Sequence, residues 1–103
     1  MTTEVIRYHV PTEQTQVFVQ AYQRAEMLLQ NSKHCLGYRL LNGIEEPEHW
    51  MLLIYWDSVE GHEQGFRKEN AFGQFFTLVK PFLKQVHEMK HYKESGVVWS
   101  RAA

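Results

Sequence analysis

The sequence lacks the features that mark exported and membrane-spanning proteins. It contains a single cysteine, Cys35, so no internal disulfide framework is possible, and one thiol fits a reducing cytoplasm. No apolar run approaches the roughly 20 residues that a membrane span requires. The first ten residues, MTTEVIRYHV, lack the basic-then-apolar layout of a signal peptide. We therefore expect a cytoplasmic protein without membrane contact.

The sequence also lacks an excess of charge of one sign, because 11 lysines and arginines balance 12 aspartates and glutamates. No basic block or stripe is present, so we expect no nucleic-acid partner. No glycine-rich phosphate loop occurs, so neither flavin nor nicotinamide binding is indicated. His87 and His91 stand four apart in a predicted strand, hence on one face and about 13 Å apart, too far to share one metal ion. We expect no cofactor and no metal.

What is present is an apolar run of eight residues, His49 to Trp56, in which histidine is the only side chain that could carry a charge. In a strand, side chains alternate between two faces: Trp50, Leu52, Ile54 and Trp56 on one, and Met51, Leu53 and Tyr55 on the other. Neither face is polar, which is typical of a strand covered on both sides. A chain of 103 residues forms one domain with little mass to spare. We therefore expect a second copy to cover one face, in a two-fold homodimer.

The remaining pattern predicts the element order β-α-β-β-α-β, with strands near 4–10, 37–41, 50–56 and 86–92. The first helix begins at Pro11-Thr12-Glu13, ends near Asn31 and carries the apolar stripe Phe18, Tyr22, Ala25 and Leu29. The second begins at Asp57 or Ser58, is weakened by two glycines, and resumes with the stripe Phe72, Phe75, Phe76 and Val79. This order predicts an α+β, ferredoxin-like domain with a four-stranded antiparallel sheet and helices on one face.

The domain is expected to span residues 1–103, with a core of about 4–93. The tail, 94–103, contains Val97, Val98 and Trp99, which are too apolar to remain unpacked. We expect the tail to pack on the partner subunit.

The segment Trp56-Asp57-Ser58-Val59-Glu60, followed by a broken helix with Phe66, Phe72 and Phe75 or Phe76, resembles the antibiotic biosynthesis monooxygenase family. The resemblance covers roughly residues 5–92. It implies that two ferredoxin-like subunits pair into a dimeric α+β barrel, with a pocket between sheet and helices in each. It also implies oxygenation of a quinol or a polycyclic, anthrone-like aromatic by O2, without metal or flavin.

Two alternatives stay open. One is a non-catalytic dimer that binds a small apolar ligand in the same pocket. The other is a diverged haem-binding or haem-degrading relative. Haem degraders of this superfamily carry an Asn, a Trp and a His where this sequence has His9, Gly65 or Phe66, and Phe75 or Phe76. These departures disfavour haem degradation.

The resemblance and the helical spacing together suggest which residues line a substrate pocket. Phe66, Phe72 and Phe76 would supply flat aromatic walls. Leu52 stands where the oxygenases commonly have an Asn. On the second strand, either Tyr38 or Arg39 must face the helices, which makes Arg39 a further substrate-binding candidate.

Oxygenation without a cofactor needs a base and a site that excludes water. Trp56 matches the Trp that faces the substrate in the family. His9, near the end of the first strand on the face of Val5 and Arg7, and His62, one helical turn before Phe66, are the candidate bases. Histidine suits the role because it titrates near neutrality. The predicted catalytic set is therefore His9, Trp56 and His62.

Overall fold

The computed structural model describes residues 1–102. Its four strands are β1 (Thr2–His9), β2 (Cys35–Asn42), β3 (His49–Trp56) and β4 (Val86–Lys93). They form one antiparallel sheet in the order β2-β3-β1-β4. Helices α1 (Thr15–Gln30) and α2 (Asn70–Val79) pack on one face, here called the inner face. The ferredoxin-like prediction is confirmed. No helix within residues 1–102 is long and apolar enough to cross a membrane.

The apolar strand β3 lies inside the sheet, paired with β2 on one side and β1 on the other. Its inner-face residues Leu52, Ile54 and Trp56 are fully buried beneath the helices. Met51, Leu53 and Tyr55, on the outer face, are half-buried. The predicted division of this strand into two apolar faces is confirmed.

Helix α1 covers the inner face with the predicted stripe, since Phe18, Tyr22, Ala25 and Leu29 are all buried. Asn31 follows as its C-terminal cap, as predicted. At the other end, Thr12 does not cap α1. It lies in a preceding 3-10 turn, where its backbone N–H and its hydroxyl both donate to Glu48.

The connection from β3 to α2 is irregular, as the two glycines predicted. The Ser58 hydroxyl caps it by accepting the Gly61 N–H at 2.8 Å. A π-helical turn (Gly61–Gly65) and a 3-10 turn (Phe66–Lys68) follow. A Cβ on Gly65 would overlap the His34 ring, whose Nδ1 lies 2.9 Å from the Asp57 carboxylate. The glycines thus let this turn approach the start of β2.

The β1–β4 pairing corrects one sequence-based expectation, that His87 and His91 share a face. The register shifts between Arg7, which pairs with Glu88, and Tyr8, which pairs with Val86. The resulting bulge leaves His87 beside His9, with 5.8 Å between the ring centroids. His91, paired with Glu4, instead contacts His62.

Beyond β4 the chain has no regular structure through residue 102, and Val97, Val98 and Trp99 are exposed. Arg101 lies over the Trp99 ring, 4.8 Å from its centroid. Packing of this tail on a partner subunit stays a prediction.

Candidate active site

A cavity of about 430 Å³ lies between the inner face of the sheet and the segment formed by the π turn, the 3-10 turn and α2. Seven of its fifteen lining residues are phenylalanine, tyrosine or tryptophan: Tyr8, Tyr22, Trp56, Phe66, Phe72, Phe75 and Phe76. The charged or titratable groups other than tyrosine that line it are Glu4, His62 and Arg67. The volume falls in the range of roughly 300–1,000 Å³ that small-molecule sites occupy.

Phe66 organises the aromatic wall. It is fully buried, and its ring centroid lies 5.2 Å from that of Trp56, 5.6 Å from Phe72 and 5.4 Å from Phe75. Phe76 is 38% exposed, so it marks the side on which the cavity opens to solvent. Flat faces and edges at these separations suit a flat aromatic ligand.

A buried polar cluster interrupts this apolar wall. The Trp56 indole N–H donates to Glu4 Oε1 at 3.0 Å, and His62 Nε2 lies 3.5 Å from the same oxygen. The His62 ring stacks on Trp56, with 4.5 Å between centroids and 8° between planes. Glu4 and His62 are only 3% and 4% exposed. The carboxyl group is therefore held by two neighbours that are themselves fixed by stacking.

The other nitrogen of His62 is also engaged, because Nδ1 lies 2.8 Å from Nε2 of His91. His91 is half-buried at the edge of the cluster. A row of polar contacts thus runs from Glu4 through His62 to His91 and joins β1, the π turn and β4; the link between the two histidines is a hydrogen bond.

Burial decides the charge states in this row. It raises the pKa of Glu4 above 4.5, although the Trp56 N–H, the positive charge of Arg67 and the charge of His91 when that ring is protonated act in the opposite direction. Burial also lowers the pKa of His62 from 6.5 to about 3, and Arg67 and His91 add to this effect. At neutral pH His62 is therefore a neutral imidazole whose single ring proton sits on either nitrogen.

Two phenol groups line the same cavity, since the hydroxyls of Tyr8 and Tyr22 are hydrogen-bonded to each other. Burial raises the pKa of Tyr8 to about 12 and that of Tyr22 well above 10. Both side chains are therefore neutral, and because one hydroxyl donates to the other, the pair has one O–H left to donate to an oxygen of a bound ligand.

The structure brings five of the predicted site residues to this cavity: Trp56, His62, Phe66, Phe72 and Phe76. It places the other three elsewhere. Leu52 is buried in the core but does not line the cavity. Arg39 is exposed and paired with Leu53, whose side chain lies on the outer face.

His9 is the predicted base that the structure does not place at the cavity. It is exposed, and its Nε2 lies 3.0 Å from Glu48. The reason is the alternation of β1, which directs Glu4, Ile6 and Tyr8 to the inner face and leaves Arg7 and His9 exposed.

Glu4 and His91 are site residues that the sequence prediction missed. The signal for Glu4 was present, because Ile6 and Tyr8 of β1 and Val10 just after it form an apolar alternation, in which Glu4 is the one carboxylate. A lone carboxylate on a core-facing strand marks a site candidate. His91 had no comparable signal, since its position depends on the bulge in β4. Among residues 1–102, no three histidine, cysteine or acidic side chains are placed to share a metal ion.

Comparison with known proteins gives matches over most of the chain. Residues 1–78 match the model of the family described as antibiotic biosynthesis monooxygenase. The uncharacterised protein YczJ of Bacillus subtilis (strain 168) is 23% identical over 94 residues, which are 91% of this chain and 99% of that protein.

Two solved structures show the same fold. A conserved protein from Methanosarcina mazei Go1 has a TM-score of 0.76 at 20% identity, with 91% of this chain and 92% of that chain covered. SnoaB from Streptomyces nogalater, a cofactor-independent oxygenase, has a TM-score of 0.75 at 11% identity, with 94% and 95% covered. At these identities the likeness concerns the fold.

The low pKa of His62 should appear in the stability of the protein. As pH falls below 6.5 the unfolded chain protonates this histidine, whereas the folded protein does so only near pH 3. The unfolded state binds more protons in that window. The free energy of unfolding should therefore decrease as the pH is lowered, by up to about 1.4 kcal/mol for each pH unit. Urea unfolding of wild type and His62→Gln, compared between pH 6.5 and about 3, isolates this slope. His87→Gln, which removes an exposed histidine, is the control, and equal slopes in wild type and His62→Gln would contradict the assignment.

Proposed function

The chain belongs to the antibiotic biosynthesis monooxygenase family, and on that premise we propose that it is a cofactor-independent monooxygenase. Its substrate would be a quinol or an anthrone-like polycyclic aromatic, and its oxidant O2. The observation that carries the proposal is the buried Glu4 carboxyl, held by Trp56 and His62 inside an aromatic-walled cavity. The fold shared with SnoaB, an oxygenase of this kind, supports it.

The cavity supplies what a flat, electron-rich substrate needs. Phe66 and Phe72 offer ring faces and edges, and the hydroxyls of Tyr8 and Tyr22 are placed to contact a ring oxygen. The walls also keep water away from a reactive anion, which would otherwise be quenched by a solvent proton. Substrate and intermediate would thus share one largely apolar compartment.

The chemistry begins with the loss of a proton from the substrate. For an anthrone-like ring, removal of one proton from the reacting CH2 group leaves an anion that gives one electron to O2. The carbon radical and superoxide then join in a C–O bond, and the peroxide anion takes up a proton supplied from solvent. Loss of water from this hydroperoxide leaves a carbonyl, so that CH2 and O2 become C=O and H2O.

Glu4 is the group best suited to take the first proton. It lines the cavity, and its raised pKa lies closer to neutral pH than that of an exposed carboxylate, which favours general base catalysis. Neutral His62 is a poor base because burial disfavours its charged form. Trp56 and His62 therefore act as positioning residues that fix the carboxyl group.

The proposal is tested by O2 uptake with a panel of quinols and anthrones. Wild type should consume O2 above the buffer rate with at least one of them, and Glu4→Gln should lower kcat by about 10² or more, because the amide cannot accept the proton. Glu13→Gln, the same change at an exposed site in the first 3-10 turn, is the control. Turnover that survives Glu4→Gln would remove the carboxyl group from the mechanism.

Two further outcomes correspond to the alternative functions. Saturable binding of a substrate analogue without O2 uptake would indicate a non-catalytic binding module. A stoichiometric Soret shift on titration with haemin would indicate a haem-binding relative. Either result, in the absence of quinol or anthrone oxidation, would overturn the proposed activity.

The functional unit proposed here is a homodimer. The outer face of the sheet carries the half-buried residues Met51, Leu53 and Tyr55, and an exposed apolar tail with Val97 and Trp99 follows β4. A second copy related by two-fold symmetry would cover both features with the same residues. Members of this family are typically dimers, which supports the assignment.

Dimerisation through the outer face has a direct test. Light scattering at micromolar concentration should give twice the protomer mass of 12.3 kDa. Leu53→Glu should give the protomer mass, because it would bury an unpaired carboxylate between the two sheets. Met27→Glu, the matched apolar-to-acidic change on the exposed side of α1, should leave the dimer intact. A monomeric wild type would contradict the proposal.

A further inference from the structure

If Glu4 takes a proton from the substrate, it must lose that proton before the next turnover. The carboxyl group is 3% exposed, and the neighbouring tyrosine hydroxyls are bonded to each other. The aromatic wall, built on Phe66, offers no group that accepts a proton. Direct loss of this proton to solvent is therefore disfavoured, and the structure contains one row of groups that leads outwards from the carboxyl group.

We propose that Glu4, His62 and His91 form a relay that carries the proton from the cavity to solvent. The inference rests on the proposed function and extends it from the base to the path by which the base is regenerated. His62 Nε2 lies 3.5 Å from Glu4 Oε1, and His62 Nδ1 lies 2.8 Å from His91 Nε2. Exposure increases along the row, from two buried groups to the half-buried His91.

Transfer along this row needs no change of charge on His62. With its proton on Nδ1, His62 donates to His91 and presents the lone pair of Nε2 to the protonated Glu4. The Glu4 O–H bond breaks as an Nε2–H bond forms, and the Nδ1–H bond breaks as a bond forms to His91 Nε2. Glu4 becomes a carboxylate, His62 ends as the other neutral tautomer, and His91 carries the proton until water removes it.

The surroundings favour this passage through a neutral ring. Burial and the charge of Arg67, in the 3-10 turn, disfavour the His62 imidazolium, so a proton that enters at one nitrogen must leave at the other. The charged groups acting on Glu4 are His91 on β4, Arg67, and Glu63 in the π turn. The stack on Trp56 fixes the ring so that its two nitrogens keep facing Glu4 and His91.

Loss of His91 should slow regeneration of the base without removing the base itself. His91→Ala should lower kcat on the order of 10-fold in weakly buffered solution. Added imidazole should restore the rate in proportion to its concentration, because it replaces the missing acceptor. Glu4→Gln should show no rescue, and His87→Ala, which removes a histidine on the outer side of the bulge, should match wild type. His91→Ala with wild-type kcat, or with a loss that imidazole does not restore, would overturn the relay.

A second measurement needs no substrate and so separates the relay from the activity. Nitrogen-15 NMR of histidine side chains reports which His62 nitrogen carries the proton. His62 should hold it on Nε2 when Glu4 is ionised and on Nδ1 when Glu4 is protonated, and Glu4→Gln should abolish this change with pH. A single tautomer across the titration of Glu4 would overturn the relay. A switching tautomer without oxidation of any quinol or anthrone would keep the relay and reject the oxygenase.

Discussion

The site depends on one buried oxygen, Oε1 of Glu4, against which Trp56 and His62 both lie. The sheet order produces this arrangement, because β1 runs between β3 and β4 and brings Glu4 beside Ile54 on one strand and His91 on the other. A carboxylate taken out of water is destabilising unless it is hydrogen-bonded or protonated. Glu4 is hydrogen-bonded, and its raised pKa shows that protonation is also favoured there. A group held in this balance is suited to accepting and releasing a proton.

The irregular segment after β3 serves the same arrangement. Glycine at positions 61 and 65 weakens a regular helix, and the His34 and Asp57 side chains leave no room for a Cβ at either position. The chain instead forms a π turn, a feature that occurs frequently at functional sites. The turn places His62 between Trp56 and His91. The two glycines therefore both weaken the helix and permit the π turn that positions His62.

The fold was largely predictable from the sequence because its strongest signals are local. The two apolar faces of β3 follow from strict alternation, and the α1 stripe follows from the helical period. The site was only partly predictable. Trp56, His62 and the phenylalanines lie on elements whose periodicity is clear, and they reach the cavity. The prediction for His9 was wrong because the more apolar face of β1, with Ile6 and Tyr8, is the face that packs against the helices, and His9 lies on the opposite face.

Other features of the site depend on non-local pairing. The bulge in β4 opposite Arg7 and Tyr8 places His87 and His91 on different faces of the sheet, and no local sequence pattern predicts this bulge. The contact between His62 and His91 joins residues 29 positions apart. The raised pKa of Glu4 likewise depends on how completely distant segments of the chain bury it, which the alternation of β1 alone does not indicate.

The most direct test of the central claim is the protonation of Glu4 itself, read as the carbonyl band of a carboxylic acid in the infrared difference between wild type and Glu4→Gln. If the buried carboxyl is the proton acceptor described here, this band should persist above pH 4.5, the pKa of an unperturbed glutamate. A band that disappears at or below pH 4.5 would show that Glu4 behaves as an ordinary surface carboxylate, and the account of the site would fail.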